Sequence, residues 1–201
     1  SGNITEELTD EELYTIEKCD IPYDAPKKID VEECMKELDE LEGLKAVKDA
    51  VREIADTLIV EQKRNADTGG RHKLNLDHLL FLGNPGTGKT TMARLFAEAL
   101  NALGVLPVGH LKEVGADQMI SQYVADSPKL VEKFFNQAMG GVLFIDEAYQ
   151  FTNNEHGKDA VDSLIRYTEN YRGKIVVILA GYERDMEALM KLNDGFKSRF
   201  N

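Results

Sequence analysis

The chain has 201 residues, with 24 basic against 36 acidic side chains and a formal net charge of −12, giving a pI near 4.8. That length suits one domain with a short appendage, and the negative field argues against general attraction to DNA, RNA or anionic lipid, so neither a nucleic-acid nor a membrane partner is expected. No apolar run approaches the roughly 20 residues that span a bilayer. The two cysteines, Cys19 and Cys34, have no C-x-x-C spacing or histidine companion, which fits thiols in a reducing cytosol and a cytoplasmic location.

Residues 1–30 read as an acidic linker with a short helix, in which Thr9 and Glu12 are spaced as a capping box before Pro22 and Pro26 interrupt it. From 31 the pattern turns helical. Val31, Met35, Leu38 and Leu41 share one face, the pattern breaks at Gly43, and Leu44, Val47, Val51, Ile54 and Leu58 continue as a longer helix until Thr68-Gly69-Gly70. Residues 72–201 then alternate. Strands are predicted over 78–82, 110–114, 142–146 and 174–180, and helices over 89–103, 127–139, 159–171 and 184–192. Such alternation implies a parallel sheet with helices on both faces. The runs Val142 to Ile145 and Ile175 to Leu179 are apolar without alternation, as strands covered on both faces should be.

Between the first strand and its helix stands Gly83-Asn84-Pro85-Gly86-Thr87-Gly88-Lys89-Thr90, followed by Thr91. This is a G-x-x-x-x-G-K-[ST] phosphate-binding loop in the strand, loop and helix context that the motif requires. Its glycines let backbone N–H groups turn inward around a phosphate chain, and the helix start adds its positive dipole end. Lys89 supplies a fixed positive charge near the β- and γ-phosphates of ATP. Thr90 offers a hydroxyl to the accompanying Mg²⁺, a hard ion that prefers oxygen.

The third predicted strand ends in Asp146-Glu147, an acidic pair at the carboxyl end of a buried parallel strand, where such sheets bind ligands. Asp146 is expected to hold Mg²⁺ and Glu147 to orient and polarise the water that attacks the γ-phosphate. His72, His78 and His110 show no metal-ligand spacing, and Asn153 to Gly157 reads as a solvated polar loop.

Five ordered landmarks carry a family resemblance: Leu41-Glu42-Gly43-Leu44 with Val47-Lys48, Gly83 to Thr91, Gly140 to Tyr149, Ala180-Gly181-Tyr182, and Ser198-Arg199-Phe200. Together they resemble the AAA+ ATPases, and within them the CbbX/SpoVK branch, over residues 38–201. The resemblance implies a P-loop NTPase fold of class α/β. The expected form is three-layer α/β/α with a parallel five-stranded sheet, the AAA+ large subdomain, preceded by N-terminal helices and lacking the C-terminal lid.

It also implies roles residue by residue. Gly43 and Leu44 become candidate adenine contacts, Arg199 an arginine finger that reaches a neighbour's nucleotide, and Tyr182 a sensor just past the fourth core strand. Gln122-Tyr123-Val124-Ala125 resembles a pore loop, so that Tyr123 and Val124 are expected to grip a threaded peptide. Ala125 stands where the family usually has glycine. The implied activity is Mg-ATP hydrolysis by a ring, a hexamer whose contacts are weak without the lid, used to remodel or thread a protein client. Two competing readings stand beside it: a monomeric P-loop phosphotransferase, and a nucleotide-gated scaffold that does not hydrolyse.

Overall fold

The computed structural model describes residues 77–84, 86–121, 126–154 and 156–200, together with residues 36, 49, 52, 53, 56 and 57. Those six upstream residues are helical and exposed, and they fall between the apolar positions that define the expected helical faces. Gly43, Leu44, Pro85, Tyr123, Val124, both cysteines and the linker 1–30 lie outside the described residues.

The elements follow the predicted alternation. β1 (Leu79–Leu82) leads through the phosphate loop to α1 (Lys89–Ala102), then β2 (Leu111–Gly115), α2 (Ser127–Gln137), β3 (Val142–Asp146), α3 (Gly157–Asn170), β4 (Val176–Gly181) and α4 (Glu183–Leu192). Two short 3₁₀ turns, Ala116–Met119 and Ala148–Asn153, follow β2 and β3. All pairings are parallel, in the order β1-β4-β3-β2. The chain thus crosses from β1 to the far edge at β2 and steps back, leaving β4 between the strands that end in the phosphate loop and the acidic pair.

The apolar strand runs divide between two cores because successive side chains point to opposite faces. Val142, Phe144, Val176, Ile178 and Ala180 join Phe81 beneath α1, where Met92, Ala93, Phe96, Ala97 and Leu100 are buried. Leu143, Ile145, Val177 and Leu179 turn the other way, toward Val131 and Phe135 of α2, Val161 and Leu164 of α3, and Met186 and Leu189 of α4. Helices on both faces make three layers.

The expected α/β class with a parallel sheet is present. Four strands are present among the described residues, not five. On the side of β1 away from β4, Phe200 makes an isolated parallel bridge to His78. Among the described residues no helix is long and apolar enough to cross a membrane.

Candidate functional site

At the carboxyl ends of β1, β4 and β3 lies a cleft of about 360 Å³, lined by Gly86, Gly88, Lys89, Thr90, Thr91, Asp146, Glu147, Tyr149, Gly181 and Tyr182. Parallel strands leave their crevice at this edge, where the chain reverses its order across the sheet. Gly86 and Gly88 hold φ of 72° and 77°, left-handed values that cost other L-residues roughly 1–2 kcal/mol. A Cβ at either would meet nothing within 4 Å, so their requirement is conformational and the space beside them is open.

Helix α1 begins at Lys89 with no acidic residue in its first turn and no side chain capping it. Its ladder opens with Met92 N–H donating to the Gly88 carbonyl at 2.9 Å, so the N–H groups of Lys89, Thr90 and Thr91 lie ahead of the ladder and face the cleft end of the helix. This is the arrangement that binds anions. The Lys89 ammonium donates to the carbonyls of Gly83 at 2.9 Å and Asn84 at 2.8 Å, while Thr87 Oγ1 donates to the same Asn84 carbonyl at 2.9 Å. Gly83 N–H donates to the Gly181 carbonyl at 3.1 Å, which ties the loop to the end of β4.

The acidic pair sits across the cleft. Asp146 Oδ1 accepts the Glu147 N–H at 2.9 Å. Glu147 has φ 49°, the sole positive φ outside glycine among the described residues. Its carboxylate accepts a hydrogen bond from the Gln150 amide, and Tyr149 lines the cleft beside it. Partial burial, followed by the charge of Glu147, pushes the Tyr149 phenol above the ordinary tyrosine range. Tyr182 lines the cleft and its ring lies against that of Tyr149, centroids 5.4 Å apart.

Arg199 lies elsewhere. Its Nε donates to Glu169 at 3.2 Å, and one terminal nitrogen donates to the Gly195 carbonyl and to Ser198 Oγ, each at 3.1 Å. Its own carbonyl accepts the His78 N–H at 3.0 Å, which fixes it at the amino end of β1. Gly83, at the other end, is five residues away, about 16 Å of extended strand. That is further than an arginine side chain extends, so Arg199 cannot serve the cleft of its own chain.

Of the expected site residues, the structure brings together Lys89, Thr90, Thr91, Asp146, Glu147 and Tyr182 with the loop glycines. It separates Arg199 from them. Three residues that the motif reading left without a role also belong here. Gln150 donates to Glu147, Tyr149 lines the cleft, and Glu113 of β2 accepts a hydrogen bond from Thr90 Oγ1 at 3.4 Å. The signal for Glu113 was a carboxylate placed within a strand whose Val114 neighbour points into the opposite core.

The ATPase family associated with various cellular activities (AAA) matches residues 79–200. The chain is 44% identical over 172 residues to Protein CbbX of Cereibacter sphaeroides, covering 83% of this chain and 55% of that protein. It is 36% identical over 173 residues to Stage V sporulation protein K of Bacillus subtilis, covering 85% and 53%. With a chloroplastic ribulose bisphosphate carboxylase/oxygenase activase of Cyanidioschyzon merolae it shares 39% identity over 184 residues, covering 86% and 60%. The chain therefore spans little more than half the length of these relatives. Among solved structures, the AAA domain of FIGL-1 in complex with ADP superposes with a TM-score of 0.52 at 22% identity, covering 81% of this chain and 52% of that one. The family match over the whole α/β part and the sequence likeness to these relatives agree with the order of strands and the loop that follows β1: the chain belongs to the AAA family of ATPases and is of the CbbX/SpoVK type.

Proposed function

We propose that the cleft binds Mg-ATP and hydrolyses it within a ring of identical subunits, a hexamer, and that the cycle remodels or threads a protein client in the cytoplasm. The observation that carries this is the division of the chemistry: loop, lysine, hydroxyl and acidic pair converge on one cleft, while Arg199 is held about 16 Å away along β1. Among the described residues Lys89 is the cation that lines this cleft, and we assign a second, Arg199, to the cleft of a neighbouring subunit.

Roles follow from position. Lys89 exchanges its two loop carbonyls for phosphate oxygens, and the N–H groups at the start of α1 cradle the chain of phosphates. Thr90 and Asp146 line the cleft with oxygen donors, which suits Mg²⁺, and they are the residues that would hold it. When bound, that ion neutralises charge on the β- and γ-phosphates. Glu147 accepts the proton of the attacking water as its oxygen bonds to the γ-phosphorus. The bond to the β–γ bridging oxygen breaks, and its electron pair leaves with ADP. A neighbouring subunit's Arg199 offsets the charge that develops, an effect of roughly 10³- to 10⁵-fold where such a finger is supplied. The name of the C. merolae relative, an activase of a carboxylase, supports a protein as the client. Tyr123 and Val124 are the residues we propose to grip it, and Gly43 and Leu44 those that meet the adenine.

The test is phosphate release per protomer against protein concentration, with Arg199→Ala alongside. A rate that climbs with concentration, collapses in the variant and is poisoned by mixing the two proteins is expected. A rate flat with concentration and indifferent to Arg199 would instead indicate a site complete in one chain, as in a phosphotransferase.

A further inference from the structure

The guanidinium of Arg199 is engaged at two of its three nitrogens. Nε donates to Glu169 at 3.2 Å, and Nη1 donates to the Gly195 carbonyl and to Ser198 Oγ, each at 3.1 Å. Ser198 Oγ in turn donates to that same carbonyl at 3.0 Å. An arginine carries five N–H donors in one plane, and those of Nη2 have no partner among the described residues. The side chain is 25% exposed, so most of it is covered while one nitrogen stays uncommitted.

Both walls of this cradle are themselves held. An added Cβ at Gly195 would stand 3.0 Å from Arg199 Nη1 and 2.8 Å from Ile165 Cγ2, so a larger residue would press on the guanidinium and on the core. The Gly195 N–H donates to Asn193 Oδ1 at 2.8 Å, and the Asn193 amide donates to Asp162 of α3 at 2.8 Å. Phe196 and Phe200, on either side of Arg199, are buried. The other wall, Glu169, belongs to the last turn of α3, where the negative end of the helix disfavours a carboxylate and the helix supplies no basic residue. Its compensation comes from outside the helix: Arg199 on one oxygen and Arg172 at 3.9 Å from the other, with Arg172 reaching Asp77 at 3.5 Å. Half-exposed pairs of this kind add little to stability, yet they restrict a side chain with many rotamers.

We propose that Glu169 is a positioning residue for Arg199: with the Gly195 turn it fixes the guanidinium plane and leaves the Nη2 donors for the γ-phosphate oxygens of a neighbour's nucleotide. This rests on the reading of Arg199 as a cation shared between subunits. Guanidinium donors are arranged in a rigid fork, so holding Nε and Nη1 also sets the direction of Nη2. An arginine that met the neighbour's cleft with free rotamers would have to be ordered during the reaction. One held beforehand does not, and preorganisation of this kind accounts for large factors in rate. Glu169 acts through Arg199 and need not touch nucleotide to do so.

Mixed assemblies separate the subunit that donates arginine from the one that uses it. Glu147→Gln subunits combined with Arg199→Ala subunits should recover phosphate release, because the first donate Arg199 to the intact clefts of the second. Adding Glu169→Ala to the donors should lower that recovery roughly ten- to a hundredfold, whereas adding it to the recipients should leave it unchanged. Glu169→Gln in the donors, whose amide oxygen still accepts from Nε, should fall between. A readout independent of turnover is the ¹H–¹⁵N nuclear Overhauser effect of the Arg199 Nε–H group, assigned by its loss in Arg199→Ala. It should drop in Glu169→Ala while the dissociation constant for ADP stays the same. Equal recovery from donors with and without Glu169, or an equal loss whichever side carries Glu169→Ala, would overturn the proposal and leave the shared arginine standing. So would an Overhauser effect unmoved by Glu169→Ala. No recovery from Glu147→Gln donors with Glu169 intact would remove the shared arginine, and this positioning role with it.

Discussion

His78 gives the fold a specific sensitivity to acid. The side chain is 3% exposed, its Nδ1 accepts the Val177 N–H at 3.0 Å, and its Nε2 stands 3.3 Å from the Thr168 carbonyl. One nitrogen must accept and the other donate, which fixes the neutral tautomer with its proton on Nε2. A second proton would be placed on Nδ1 against another donor, inside the core. Burial is the main reason that its pKa falls from 6.5 to about 4; the Thr168 carbonyl and Asp77 oppose the shift, while Arg172 and Arg199 add to it. The folded chain therefore binds this proton less readily than the unfolded chain. Stability is intact above the unfolded value of 6.5 and is lost as pH falls toward about 4. At 1.36 kcal/mol for each pH unit, the loss is about 2 kcal/mol by pH 5 and about 3 kcal/mol in full. With a urea slope of about 2–3 kcal/mol/M for a chain of this size, the unfolding midpoint should fall by roughly 0.7–1 M between pH 7.5 and 5. Far-UV circular dichroism in urea suits a chain without tryptophan. His78→Gln, which keeps a donor and an acceptor, is the control: less stable at pH 7.5, it should converge on the wild type by pH 5. Parallel pH dependences for the two proteins would refute the argument.

Three further outcomes are expected. Phe144→Ala, which empties a fully buried site between β3 and α1, should cost about 3–5 kcal/mol in urea unfolding. Gly88→Ala, at φ 77°, should cost about 1–2 kcal/mol and weaken ADP binding as measured by calorimetry, because relief of the strain would turn the loop N–H groups out of the cleft. Glu169→Ala removes the partner of Arg199, but the pair is half exposed on the glutamate side, so the change in stability should stay below about 1 kcal/mol.

Much of the fold was legible because the two signals that matter, strand burial and alternation with amphipathic helices, are local. Val142 to Ile145 and Ile175 to Leu179 announce buried strands, and the structure places β3 at Val142–Asp146 and β4 at Val176–Gly181, with bounds displaced by a residue or two. The phosphate loop and acidic pair were legible for the same reason, each being a contiguous motif at the end of such a strand. Turns within that pair's neighbourhood were not. Nothing in Ala148-Tyr149-Gln150 signals a 3₁₀ turn that folds back onto Glu147, since the contact depends on one left-handed residue. His78 looked bland because its partners, Val177 and Thr168, lie about a hundred residues away in sequence and meet it only through the β1 and β4 pairing. The position of Arg199 likewise follows from sheet topology, through a bridge to His78, rather than from any pattern around it.

That topology makes β1 a short strut with different chemistry fixed at each end. Its carboxyl end passes into the phosphate loop, clipped to β4 by the Gly83 to Gly181 hydrogen bond at 3.1 Å. Its amino end holds the Arg199 segment through the His78 N–H, and the His78 ring packs on Phe200 with centroids 5.3 Å apart. Between them run parallel ladder bonds to β4 in a buried sheet, a stiff connection that transmits displacement poorly by bending and well by rigid shift. On the proposed ring reading, a loop drawn onto nucleotide at one end would move with the segment that offers arginine to the next subunit at the other. Weakening the amino-terminal clip, where His78→Gln removes the ring that packs on Phe200 and leaves the backbone N–H in place, should then disturb the neighbour's turnover more than the chain's own binding. In mixed assemblies, His78→Gln subunits should therefore bind ADP normally yet lower phosphate release in proportion to their fraction, whereas a loss of ADP affinity in the variant alone would place the defect in the cleft and refute a connection through β1.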